Sequence, residues 1–316
     1  MQKKIRIIVL AVIFLFGFCL VRDFLIKSLI GTVVSSVTGA PTRVGGLSLS
    51  VIRQSVRISN FRIYNPKGFP RDILVDIPRM GVTCNLGAFI TGKIHLKQLE
   101  LDIKEMGVLK NKEGKLNVDS LKIAAQKPGE KKKKPAKQPA IQIDVVNLGM
   151  GRVVSRDYSV EGQPAVKVYD INLKKTYKNI TSVQQLVALI ITEPLKAAGI
   201  QGAKVYGASA LAGVAALPVM AAFTITGKDY VEETFNVTME RAYDAGLQAI
   251  KTTGKVIGED RSGSTISAAV SGARVTFKLK KLSQNSTQVT ISAHKFGLPQ
   301  AETASGVMYR LKERLK

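Results

Sequence analysis

The chain has 316 residues, 45% of them hydrophobic, which is enough for two or three ordinary cores, and its formal charge at pH 7 is +24. With no Trp, two Cys and two His, it cannot build a disulfide framework or a His/Cys metal cluster at recognisable spacing. Its basic residues, apart from one lysine run, are spread along the chain without the interleaved aromatics that stack bases, so nucleic acid is not expected. With an apolar segment at the N-terminus, anionic lipid headgroups or another acidic surface are the expected partner.

Lys3, Lys4 and Arg6 precede an apolar run from Ile7 to Val21. The run has the length of a signal h-region, yet no small-residue cleavage site follows it. Arg22 and Asp23 lead instead into Phe24, Leu25, Leu29, Ile30, Val33 and Val37, which share one side of a helix. The expectation is an uncleaved signal-anchor helix over residues 1–38, with its positive end in the cytoplasm and the bulk outside. A cleaved signal peptide is the other reading. Cys19 follows Phe18, where a lipobox needs a small residue, so it reads as an apolar residue of the anchor, and Cys84 as part of a strand. Gly39 and Pro41 end the helix.

Between Gly46 and Leu121 apolar residues fall at every second position: Val56 and Ile58, Ile73, Val75 and Ile77, Met80 and Val82, then Leu99, Leu101 and Ile103. That period predicts a meander of antiparallel strands with one apolar face. Asn65-Pro66-Lys67-Gly68 and Asn111-Lys112-Glu113-Gly114 read as tight turns. From Gln126 to Pro139 the sequence QKPGEKKKKPAKQP reads as an exposed, disordered loop, either a plain solvated connection or a polybasic tether. Strands return at Ile141–Val146, Arg152–Arg156 and Val166–Leu173, so one sheet domain is expected over 39–176. Thr181 then caps a helix lined by Val183, Leu186, Val187, Ile190 and Ile191, with Pro194 within it or breaking it. Val205 to Thr226 carries no charge over 22 positions. It reads as a small-residue helix on the sheet, a shallow membrane hairpin or a second span, and with the preceding helix it makes an apolar helical segment over 177–228. Residues 229–316 alternate strand, helix, four strands and a last helix from Pro299 to Leu315, a compact α+β domain.

The order of these features is an anchor, TGAPTRVGGLSLS, N-P-x-G-F, L-x-x-x-x-x-G-K-I-x-L-x-x-L and NKEGKLN. It resembles the N-terminal module of the AsmA-type proteins of Gram-negative bacteria over about residues 1–121. Residues 205–316 resemble, in composition and order alone, a small bacterial envelope domain family of unknown function. The fold class expected is therefore α+β and mainly antiparallel β: an N-terminal membrane-anchor helix, a curved AsmA-like β-sheet, an apolar helical segment and a small C-terminal α+β domain. The resemblance implies a single-pass inner-membrane protein with its bulk in the periplasm.

Larger AsmA-type proteins are thought to move phospholipid along an apolar groove. The corresponding candidate lipid-contacting residues here are Ile94, Leu96, Leu99, Leu101, Ile103, Ile141, Ile143 and Val145. The same residues could instead pack under the helix at 181–200 as a closed core. About ten strands at 4.8 Å spacing would make a groove of only roughly 45–50 Å. The expected function is thus binding or handling of phospholipid in envelope homeostasis; the alternative is a non-enzymatic scaffold that binds an envelope protein partner. No catalytic, cofactor or metal residues are assigned. His294 has no Cys nearby, Glu259 and Asp260 sit in a turn with Arg261, and neither a G-x-S-x-G elbow nor a phosphate-binding glycine loop occurs.

Overall fold

The structure, a computed structural model, describes residues 27–50, 52–85, 94–122, 141–159, 164–200, 215–217 and 230–316. The apolar run Ile7–Val21, the lysine loop 126–139 and most of the 205–226 stretch lie outside the described residues. Among those described, no helix is long and apolar enough to cross a membrane. The chain is α+β with mostly antiparallel sheets.

Helix α1 (27–38) lays Ile30, Val34 and Val37 on the first core. It ends where Gly39, at φ +71°, donates its N–H to the Ser35 carbonyl, 2.8 Å away. Glycine adopts that left-handed conformation without strain, and a Cβ there would also meet the Lys122 side chain. Seven strands then form one sheet in sequence order: β1 (Thr42–Ser50), β2 (Ser55–Tyr64), β3 (Ile73–Cys84), β4 (Ile94–Lys110), β5 (Ile141–Asp157), β6 (Ala165–Ile180) and β7 (Ala215–Leu217). At 4.8 Å per step this sheet is about 30 Å wide, narrower than the ten-strand estimate.

Two differences from the expected meander stand out. First, β4 and β5 pair parallel, from Ile94↔Ile141 to Lys110↔Asp157. Parallel neighbours need a crossover, and the chain between them provides it. The Asn111–Gly114 turn sends the chain back along β4, and a 3₁₀ turn (Val118–Ser120) drops Val118 and Leu121 into the core. Second, β5 is one strand of 17 residues rather than two short ones. Gly149 and Gly151 interrupt the alternation, but the interruption is a bulge: the register shifts between Met150 and Arg152. A Cβ on Gly151 would lie 2.8 Å from the Lys104 carbonyl oxygen, so the close approach of β4 favours glycine.

The crossover is pinned by a buried asparagine. Asn117 Oδ1 accepts from the backbone N–H of Leu109 (3.0 Å) and Val118 (2.9 Å). Its Nδ2 donates to the Gly107 carbonyl (2.9 Å) and to Asn65 Oδ1 (2.7 Å). Asn65 in turn donates to the Pro70 carbonyl at 2.9 Å. The N-P-x-G-F and NKEGKLN motifs, far apart in sequence, are therefore locked to each other by a side-chain amide pair whose polar atoms are satisfied.

Helix α2 (Val183–Ala197) covers the apolar face over β5 and β6. Its cap is Ser182, whose hydroxyl accepts from Gln185 N–H at 3.1 Å, one residue later than expected. Thr181, the residue before the cap, instead donates its own N–H to Gln185 Oε1 at 2.7 Å, a contact one residue outside a capping box. Pro194 sits within the helix. Within the apolar 205–226 stretch, residues 215–217 form an edge strand on β6 rather than helix.

The C-terminal domain matches the order read from sequence: β8 (Tyr230–Phe235), α3 (Met239–Lys251), β9 (Lys255–Asp260), β10 (Thr265–Val270), β11 (Ala273–Ser283) and β12 (Ser286–Lys295), with a short β13 (Leu298–Pro299) before α4 (Ala301–Leu315). Strands β9 to β12 form an antiparallel meander, and β8 and β13 share the free side of β12. Both helices contact this sheet and close a second core around Phe277, Ile266, Val289, Ile291 and Leu311. Gly246 lets α3 lie against the Phe277 ring, which a Cβ there would overlap.

Candidate functional site

The first sheet has two unlike faces, and single rows across its strands display them. On the inner face, Leu47, Ile58, Met80, Leu101 and Leu148 are successive partners. One residue along, Gly46, Ser59, Arg79, Asp102, Gly149 and Lys174 are successive partners on the outer face. Alternation within these rows thus separates an apolar side from a charged one.

The eight candidate lipid-contacting residues divide on this plan. Leu99 and Leu101 (2% exposed) and Ile103 and Ile143 (0%) lie inside the first core. Leu96 and Ile141 are half-buried and pack against that core, and Ile94, paired with Ile141, is half-buried beside them. Val145, paired with Gln98, is half-buried and outside the core. Cover on the inner face is graded. In the row Tyr177, Val146, Leu99, Val82, Val56 and Leu49, the first three are buried and the last three are half-buried. In this row the closed part lies next to α2 and the less covered part is the end of β1–β3 near the β1–β2 turn; at their other end Phe61, Ile63, Val75 and Ile77 are buried. Glu193 pins α2 at that closed part: burial alone would raise its carboxyl, but the Lys175 ammonium, 2.7 Å away, together with Tyr177 and Lys196, holds it below the usual range.

The outer face carries a concavity of about 850 Å³. Its rim holds Arg57, Arg79 and Lys174 against Glu100 and Asp102, all of them exposed. Gly81 and Gly149, two positions without side chains, are part of its wall. Such a mixed-charge surface can accept a polar partner. Among the described residues no group of three or more His, Cys, Asp or Glu is placed to hold a metal ion. Cys84 is buried in its strand, and burial pushes its thiol up.

Further along the outer face the C-terminal domain docks through α4. Tyr309 inserts beside Arg152 and Arg156, whose guanidinium carbons lie 5.4 and 5.6 Å from the ring centroid. Arg156 Nη2 donates to Tyr309 Oη at 3.1 Å, and Tyr309 donates to Glu105 Oε1 at 3.1 Å. Glu105 also accepts from Arg152 Nε at 2.9 Å, and Arg156 reaches Asp72 at 3.3 Å. Burial, then the Glu105 charge, pushes the phenol up to about 12. Val154, Val166 and Val168 form a small apolar floor under the ring. Gly306 closes the contact: a Cβ there would lie 2.1 Å from the Val166 carbonyl oxygen. Sequence reasoning missed this joint. Its one trace was a Tyr on the last helix set apart from the Ala304, Val307, Met308 and Leu311 stripe that packs into the domain's own core.

A scan against protein-family profiles and a search of curated proteins both return no match for this chain.

Proposed function

We propose that the chain is an AsmA-like envelope protein, held at the bacterial inner membrane by its N-terminal apolar segment, which handles phospholipid on the half-covered part of its inner sheet face. The observation that carries this reading is the graded row: Leu99 and Val146 are closed off, while Val82, Val56 and Leu49 on the same face are half-exposed. An acyl chain laid along β1–β3 would remove that apolar surface from water, at about 0.8 kcal/mol per buried methylene. The contact residues on this reading are Leu47, Val56, Met80, Val82 and Leu96, all packed against the core without being enclosed by it. Leu99, Leu101, Ile103 and Ile143 act as the floor beneath them.

Native mass spectrometry of the full chain in mild detergent tests the reading. A phospholipid should co-purify with the wild-type protein and be lost from a Val56→Asp, Val82→Asp double variant that still folds. A clean apo mass for the wild type overturns it. The second reading, a non-enzymatic scaffold, is favoured by the charged outer concavity next to the α4 joint. On that reading Arg79→Glu with Lys174→Glu removes binding of an envelope protein partner and leaves the fold intact.

A further inference from the structure

The tip of the β12–β13 hairpin has no role in either reading above. Phe296 and Gly297 occupy its two turn positions with φ of +52° and +79°. That is the geometry of a tight hairpin turn in which Asn, Asp or Gly is favoured and a bulky side chain is strained. The neighbouring turn at Ser271-Gly272 has the same geometry with small residues, φ +50° and +76°. Phe296 nevertheless projects into solvent at 94% exposure, and Leu298 beside it is 67% exposed. Neither contributes to the domain core. Folding does not call for an aromatic ring at this place.

The charges around the tip have one sign. Lys295 holds its ammonium 5.9 Å from the Phe296 ring centroid and reaches over the Ser271-Gly272 turn. One row across the same end of the sheet runs Lys255, Ala269, Arg274, His294, Pro299, and its Lys and Arg are exposed. Lys251, at the end of α3, lies four residues before Lys255. The acidic residue closest in sequence, Glu302, is turned away to Lys167 at 3.5 Å. Two apolar side chains on one turn offer little area to a protein partner. An apolar tip inside a basic collar is suited to the boundary between acyl chains and anionic headgroups.

We propose that the Phe296–Leu298 tip is a membrane-interface insertion point: Phe296 and Leu298 enter the acyl boundary of an anionic bilayer while Lys295, Arg274 and Lys255 meet the lipid phosphates. This contact uses none of the residues of the sheet's inner face, and so it stands or falls apart from the function proposed above.

The absence of Trp from the chain provides the test. Phe296→Trp makes the tip the sole indole, and Leu282→Trp places one at an exposed position at the opposite end of the same sheet. Each full-length variant is reconstituted into vesicles of phosphatidylethanolamine and phosphatidylglycerol, with or without brominated acyl chains, and into vesicles of phosphatidylcholine alone. The expected result is blue-shifted emission at position 296, quenched severalfold by brominated lipid in the anionic vesicles and much less in phosphatidylcholine. Lys295→Glu with Arg274→Glu should remove most of that quenching, and the indole at 282 should stay unquenched. Absence of quenching at 296, or equal quenching at 296 and 282, overturns the proposal. So does a blue shift that grows with protein-to-lipid ratio without quenching, which would seat the tip on a second copy of the chain.

Discussion

The two sheets close their apolar faces in different ways. The C-terminal sheet is roofed by α3 and α4, both from its own stretch of chain, and Ile266, Val275, Phe277, Val289 and Ile291 are all fully buried beneath them. The N-terminal sheet is roofed piecemeal by α1, by the crossover residues Leu116 to Leu121 and by α2: Phe61, Ile63, Val75 and Ile77 are buried, but the end of β1–β3 that carries Leu49, Val56 and Val82 stays half-covered. A roof drawn from one contiguous segment leaves a self-sufficient fold. A roof assembled from scattered pieces leaves an apolar margin, and margins of that kind are where a soluble surface departs from indifference to its surroundings.

The sharpest way to break this contrast is to charge the two parts of the inner face. Ile103→Asp places a carboxylate in a fully buried site and should cost at least about 4 kcal/mol, abolishing cooperative unfolding followed by circular dichroism in detergent. Val56→Asp, on the half-covered side, should cost only about 1 kcal/mol in the same measurement. Equal losses would mean that the face is uniformly closed.

Gly306→Val comes next. Its side chain would overlap the Val166 carbonyl while leaving the Ala304, Val307 and Leu311 stripe in place. It should lower stability by about 3 kcal/mol and split a single unfolding transition into two, as the domain undocks but stays folded. Asn117→Ala strands two backbone donors, a carbonyl and the Asn65 amide. A loss of about 2–3 kcal/mol is expected, confined to the N-terminal sheet and visible by hydrogen exchange in β4 and the crossover.

Tyr309→Phe removes only the hydroxyl, for about 1 kcal/mol at neutral pH. Its pH dependence is more telling. The folded phenol is raised from 10.0 to about 12, so the protonated form is the one that folding favours. The contribution of Tyr309 is complete below about pH 10 and lost as pH rises towards 12. Subtracting the Tyr309→Phe unfolding profile from that of the wild type should isolate a loss in that window. A flat difference would mean that the joint is not formed.

Local pattern made much of this fold legible. Alternation located β2, β3 and the middle of β4, and the C-terminal domain followed in order because its strands are joined by short polar turns that carry their own signal. Partner direction was not legible: a period of two assigns faces but does not say whether a neighbour runs parallel, so the β4–β5 crossover has no signal in the alternation. The bulge at Gly151 looked like a gap between strands because one inserted residue reverses the alternation. The candidate site was harder still. Leu99, Leu101, Ile103 and Ile143 carry the same pattern whether protein or a ligand covers them, and only the placement of α1, the crossover turn and α2 over the sheet separates the cases. Tyr309 and Glu105 are 204 residues apart, a distance no local window spans.

Helix α4 also has a consequence in time. It is the last of the described elements to be synthesised, yet it closes the second core with Val307 and Leu311 and covers Val154, Val166 and Val168 on the first sheet. While the chain is being made, both surfaces wait for the same fifteen residues. A ribosome that stalls before Ala301 would release a chain with two wet apolar seams instead of one, so a single late docking step finishes the folding of both halves.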